Sequence, residues 1–155
     1  MYPFGHGLHY TNFTVRFSNP STLTSNFTTT ALASGSARWP DQLPFASIPI
    51  TVANTGAVKS DYVVLALLKG EHGPKPSPAK SLVGFTRVHG IAPGSSATGT
   101  VDVTVGSIAR SDEKGNLVLW PGVYSLVLDI DEKCAWDFTI TGEPKTLDTM
   151  PTRAS

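Results

Sequence analysis

Trp120-Pro121-Gly122-Val123-Tyr124-Ser125-Leu126-Val127-Leu128-Asp129-Ile130 is the stretch from which the fold can be read. Pro121-Gly122 is a turn, and after it Tyr124, Leu126, Leu128 and Ile130 share one face at the period of two that a strand imposes. A tyrosine two residues after a turn glycine, at the start of a strand, is the arrangement of a tyrosine corner. Its hydroxyl bonds backbone upstream while its ring fills the core between two antiparallel sheets. The next run, 134–141, repeats the pattern with Cys134, Trp136, Phe138 and Ile140 on one face.

Outward from this pair, strands recur and helix-period segments do not. Thr11 to Phe17 alternates, with Phe13, Val15 and Phe17 inward. Residues 45–53 resume the alternation with Ile48, Ile50 and Val52 inward and Pro49 outward, a proline position that suggests an edge or a bulge. Asn54-Thr55-Gly56 turns the chain. Asp61 to Leu68 is apolar on both faces, with Tyr62, Val64, Ala66 and Leu68 on one and Val63, Leu65 and Leu67 on the other. Two dry faces imply a further covering layer, either the insertion or a neighbouring domain. Further strands are expected at 81–88, 97–105, 117–120, 122–130 and 134–141, with one helical turn at Ser107 to Ala109. Residues 18–44 are rich in Ser, Thr and Asn, with Leu23, Phe27, Leu32 and Trp39 as anchors, and read as a long, partly ordered insertion between the first two strands. Residues 70–80 form a stiff proline-rich loop.

The 155 residues suit one domain, large enough to bury about two-thirds of its unfolded surface. Charged residues are only 15% and the formal net charge is zero, which leaves no electrostatic footprint for nucleic acid and no polybasic membrane patch. Cys134 is the single cysteine, so no internal disulfide can staple the fold. Its simplest role is a small buried hydrophobe, with an intermolecular disulfide as the alternative. No signal peptide and no bilayer-length apolar run is visible, so a secreted domain would take its signal from a longer precursor.

Five motifs occur in a shared order. They are Tyr2-Pro3-Phe4-Gly5-His6-Gly7-Leu8-His9-Tyr10-Thr11, then Val52-Ala53-Asn54-Thr55-Gly56 followed by Ser60-Asp61-Tyr62-Val63-Val64, then Leu82-Val83-Gly84-Phe85-Thr86-Arg87-Val88, Ala92-Pro93-Gly94-Ser95 and Pro121-Gly122-Val123-Tyr124. Together they resemble the C-terminal fibronectin type III-like domain of glycoside hydrolase family 3 enzymes. The Ser/Thr insertion and the Ile140-Thr141-Gly142-Glu143 ending look most like fungal β-xylosidases. The resemblance implies an all-β, immunoglobulin-like antiparallel sandwich at 11–142 with the insertion at 18–44, a linker at 1–10 and a tail at 143–155.

It also implies that catalysis lies elsewhere. Family 3 enzymes are retaining hydrolases that need two carboxyl groups about 5 Å apart. In the family these come from two preceding domains for which this sequence has no counterpart. Asp61, Asp112, Glu113, Asp129, Asp131 and Glu132 are scattered and read as structural or solvated. The histidines, His6, His9, His72 and His89, make no cluster with a third ligand, so neither metal nor other cofactor is expected. His6 could lend a polar group to the rim of a parent enzyme's cleft, but a packed linker residue is the simpler reading.

The expected function is a non-catalytic accessory domain that packs on and stabilises the catalytic domains of a secreted family 3 β-xylosidase or β-glucosidase in xylan breakdown. Tyr2, Phe4, His6, Leu8, Tyr10, Val63, Leu65 and Leu67 are the candidate docking residues, toward those domains or toward a second copy. The alternatives are a free-standing carbohydrate- or lignin-binding module, with Trp39 as the stacking ring, and a hydrolase in its own right. Trp120 and Trp136 are assigned to the core. Asn12-Phe13-Thr14 and Asn26-Phe27-Thr28 are glycosylation triplets, making Asn12 and Asn26 the candidate glycan sites.

Overall fold

The computed structural model describes residues 9–35, 38–129, 131–132 and 134–151. Its strands are β1 (Phe13–Phe17), β2 (Asn26–Thr28), β3 (Pro44–Asn54), β4 (Ser60–Lys69), β5 (Ser81–Ile91), β6 (Ser96–Thr104), β7 (Arg110–Ser111), β8 (Leu117–Leu119), β9 (Gly122–Leu128), β10 (Cys134–Thr141) and β11 (Lys145–Asp148). Two single helical turns, α1 (Thr29–Leu32) and α2 (Val105–Ile108), interrupt them. The sheets run β1-β3-β6, β2-β10-β9-β4-β5 and, as a small third sheet, β11-β8-β7. The first two face each other as an all-β sandwich, with alternate residues of each inner face supplying the core. Ile48, Ile50, Val52 and Val101 meet Val64, Leu126, Leu128 and Ile140 there, all fully buried.

An aromatic column runs through this core. Tyr124 stacks on Phe138 with centroids 5.2 Å apart, Phe138 meets Trp136 at 4.8 Å and Phe45 at 5.1 Å, and Phe27 meets Phe45 at 4.9 Å. The Tyr124 hydroxyl donates to the Trp120 carbonyl at 2.5 Å, closing the turn that Pro121-Gly122 makes. At the sandwich edge β5 leaves one sheet and β6 joins the other. A Cβ on Gly84 would stand 2.8 Å from Val101 and 3.0 Å from the Asp102 carbonyl, so the two strands can cross only because residue 84 has none.

Several expectations are corrected. Residues 18–44 hold a strand: β2 pairs in parallel with β10 through Thr139, Ile140 and Thr141. Its register is held by Thr139 N–H to the Ser25 carbonyl at 2.8 Å and by the Trp136 indole to the Thr24 carbonyl at 3.2 Å. No period-two pattern announced a three-residue strand. Residues 145–148, read as tail, form β11 against β8 and bury Leu147. Pro49 lies in a strand with neighbours on both sides, yet β1 ends at Phe17, and there Pro49 only accepts a bond, from Ser18 N–H at 2.9 Å. The missing proline donor therefore costs no ladder bond. Trp120 is half-buried rather than core, while Ile130 lies outside the described residues.

Asn54 ties the two sheets together. Its Oδ1 accepts from the Thr11 hydroxyl at 2.7 Å and from Gly56 N–H at 3.1 Å. Its Nδ2 donates to the carbonyls of Val58 at 2.8 Å and Ile91 at 2.9 Å. Its main chain bonds Ser95 and Gly94, each at 2.9 Å. A Cβ at residue 56 would fall 2.2 Å from the Thr11 hydroxyl, which is why glycine completes the Asn-Thr-Gly turn. Asn54 is 1% exposed, so each lost partner is a desolvated polar group left without compensation. Asn54→Ala is expected to cost about 3–5 kcal/mol, more than the roughly 1–3 kcal/mol of Tyr124→Phe. Urea unfolding of the two variants checks the order; equal and negligible losses would show that neither bond holds the fold.

Candidate functional site

The docking residues proposed from sequence divide into three groups. Tyr2, Phe4, His6 and Leu8 lie outside the described residues. Tyr10 is 95% exposed. Val63, Leu65 and Leu67 alternate with the buried Tyr62, Val64, Ala66 and Leu68 and are half-buried on the outer face of the five-stranded sheet. The covering layer inferred from two dry faces is thus only partial. At the entry to β1 the His9 ring lies 5.4 Å from Phe13 and 5.0 Å from Tyr62, a packing role.

Carboxylates are engaged locally. Asp61 accepts Gly90 N–H and the His89 ring, each at 2.8 Å, and these bonds, Gly90 foremost, hold it below the usual carboxylate range. Glu132 sits between Lys69 and Lys80, at 2.8 and 2.9 Å, and is lowered by both. Asp112 folds back on Asn116, 2.9 Å away, and is lowered chiefly by that bond. Asp129 takes the structural one of the two readings, structural or solvated. It is buried, with a φ of 59° that Asp tolerates better than most residues. Its carboxylate accepts the Tyr62 hydroxyl at 2.9 Å and Leu65 N–H at 3.1 Å. Burial of the Tyr62 ring, with the Asp129 charge second, pushes that phenol's pKa up. Nothing in the sequence distinguished Asp129 from the acidic residues beside it, because its burial arises from β4, the strand paired alongside β9, whose Tyr62 and Leu65 it bonds. Among the described residues no group of three or more His, Cys, Asp or Glu could hold a metal ion.

Trp39 is 52% exposed, with the Arg38 guanidinium 5.5 Å over its ring. Trp120 walls a shallow cavity of about 400 Å³ with Gly73, Pro74, Asp112, Glu113 and Lys114, and its indole donates to the Arg110 carbonyl at 3.2 Å. Asn12 and Asn26 are exposed. Cys134 is half-buried, and burial raises its thiol pKa.

Sequence reasoning missed the clamp on the proline-rich loop. Arg110 of β7 donates to the carbonyls of His72, Pro74 at 2.8 Å and Pro76 at 3.1 Å, and to the Ser77 hydroxyl at 3.3 Å. The loop's alternating prolines leave free carbonyls that a guanidinium fork can gather. Inside the clamp His72 is 7% exposed, lies tilted by 31° with its ring centroid 4.0 Å from that of Tyr124, and keeps Nδ1 buried without a partner among the described residues. Burial, and then the Arg110 charge, depress its pKa from 6.5 to about 4.

Residues 63–129, from β4 to the end of β9, match the fibronectin type III-like domain. The chain carries a fibronectin type III-like domain. Over 152 residues it is 44% identical to the probable exo-1,4-beta-xylosidase bxlB of Aspergillus flavus, covering 96% of this chain and 19% of that protein. To the exo-1,4-beta-xylosidase xlnD of Aspergillus oryzae it is 41% identical over 157 residues, 97% of this chain and 20% of that one. The solved structure described as a GH3 exo-beta-xylosidase (XlnD) in complex with a xylobiose aziridine activity-based probe superposes with a TM-score of 0.87 at 37% identity, over 97% of this chain and 20% of that chain. The chain therefore spans about a fifth of the length of these relatives. It is similar to the fibronectin type III-like segment of a family 3 xylosidase.

His72 gives the domain a pH signature. The unfolded histidine takes its proton near 6.5 and the folded one only near 4, so the neutral ring's full stabilisation is present above pH 6.5. That contribution is lost progressively as pH falls from 6.5 toward 4, up to about 3 kcal/mol in all. Urea unfolding at pH 7 and 4.5 should show the loss, and His72→Phe should remove most of it. An unchanged slope in the variant would assign the pH dependence to other groups.

Proposed function

We propose that the domain is a non-catalytic accessory module that packs on and stabilises the catalytic part of a family 3 β-xylosidase engaged in xylan breakdown. The observation that carries this reading is the match of nearly the whole chain to one fifth of fungal exo-1,4-β-xylosidases, at a TM-score of 0.87 to a solved one. Retaining hydrolysis needs two carboxyl groups facing one glycosidic bond, and the carboxylates described above are committed to sheet and loop contacts. The module acts outside the cell as part of a longer secreted chain, with glycans at the exposed Asn12 and Asn26. The polysaccharide-binding alternative rests on Trp39, a single ring with Arg38 already over it.

The reading is tested with the Aspergillus oryzae xylosidase in which this chain replaces the corresponding fifth. The chimaera is expected to hydrolyse aryl β-xylosides and to resist heat comparably to its parent, and the isolated chain to show no turnover. Turnover by the purified chain that disappears on mutating one acidic residue would contradict the reading. So would a xylosidase lacking that fifth that is as stable and active as the whole.

A further inference from the structure

The outer faces of the two large sheets differ in kind. On the three-stranded sheet the outward positions include Ser47, Thr98, Thr100 and Asp102, with Ser47 bonded to Asp102 at 2.6 Å, as suits a face in water. On the five-stranded sheet the register sets Leu65 opposite Phe85 and Leu67 opposite Leu82. Phe85 is 67% exposed and Leu82 56%. Charges frame this strip at both ends. Asp61 pairs with His89 at 2.8 Å and Arg87 at 3.5 Å beside Val63, and Glu132 pairs with Lys69 and Lys80 at the other end. An apolar centre inside a charged rim is the anatomy of a protein interface. A large exposed aromatic within such a strip marks a contact surface rather than scattered surface apolarity.

Two observations select the occupant. The domain matches only a fifth of each relative, so its nearest large neighbour in such a protein is the other four fifths of the same polypeptide, held at high effective concentration. His9, the first of the described residues, also has its ring 5.0 Å from Tyr62, at the end where β4 and the apolar strip begin. Strand β5 is an edge, and its outward Arg87 and His89 discourage strand addition, leaving side-chain packing as the mode of contact.

We propose that Phe85, Leu82 and Leu65, framed by the Asp61-Arg87-His89 and Glu132-Lys69-Lys80 clusters, form the face that packs against the catalytic part of a family 3 xylosidase. The proposal rests on the docking reading above and names its surface. An interdomain contact of roughly 600–1,500 Å² would cover the strip and its rim.

The test uses the chimaeric xylosidase carrying this chain unmutated, with Leu82→Asp and Phe85→Asp together, or with the control pair Thr98→Asp and Thr100→Asp on the polar face. The unmutated chimaera and the control are expected to unfold in one transition, and the strip variant in two, with heat inactivation at least about tenfold faster because unpaired charge would be buried. The strip variant of the isolated chain should unfold at the midpoint of its parent, since both positions are exposed; if it fails to fold, Phe85→Ser alone replaces it. One transition in all three chimaeras would leave docking standing and overturn the face. Two independent transitions in the unmutated chimaera would overturn docking and face together. Self-association of the isolated chain that the strip variant abolishes, with the chimaeras unaffected, would assign the face to a second copy and overturn the proposal.

Discussion

The side chain of Asn54 is the constraint on which the rest of the sandwich depends. Four side-chain bonds and two main-chain bonds from one residue reach the entry to β1, the start of β4, the end of β5 and the turn into β6. Those elements belong to opposite sheets, so the node sets the distance and register between them at one end of the sandwich. Only an amide supplies two acceptor and two donor directions at once; aspartate would place a charge against two carbonyls, and leucine would leave all four partners dry.

The opposite end is organised by packing and by the Arg110 clamp. Tyr124, fixed by its bond to the Trp120 carbonyl, stands between Phe138 and His72. His72 is in turn held in a loop whose carbonyls converge on Arg110. Both ends of the sandwich are thus pinned by hydrogen bonds and packing, with the single cysteine, Cys134, free. Such pinning suits the proposed accessory role, because order already present in the free domain is not lost again on contact.

The sandwich was legible because period two dominates the long strands. Val15 and Phe17, Ile48 through Val52, and Cys134 through Ile140 all fall on the faces their alternation assigns. The turn at Pro121-Gly122-Val123-Tyr124 was legible because its chemistry is local. What escaped were features made by distant chain segments. β2 is three residues long and exists because β10 offers it an edge. Asp129 is buried by Tyr62 and Leu65, 67 and 64 positions away. The Arg110 clamp spans 33 to 38 positions. The outer strip was half legible: Val63, Leu65 and Leu67 stood out by having apolar neighbours on both faces, while Leu82 and Phe85 join them only through the β4–β5 register and its bulge between Ala66 and Leu67.

The inner faces make the fold, and the five-stranded sheet is the face proposed to contact the rest of an enzyme. Hydroxyl-radical footprinting reads this at the side chains themselves, comparing the isolated chain with the same chain in place in the chimaeric xylosidase. Phe85 and Leu82, both more than half exposed in the free domain, should be labelled readily alone and strongly protected in the chimaera, with Trp39 labelled alike in both. Equal labelling of Phe85 and Leu82 in the two proteins would contradict the account.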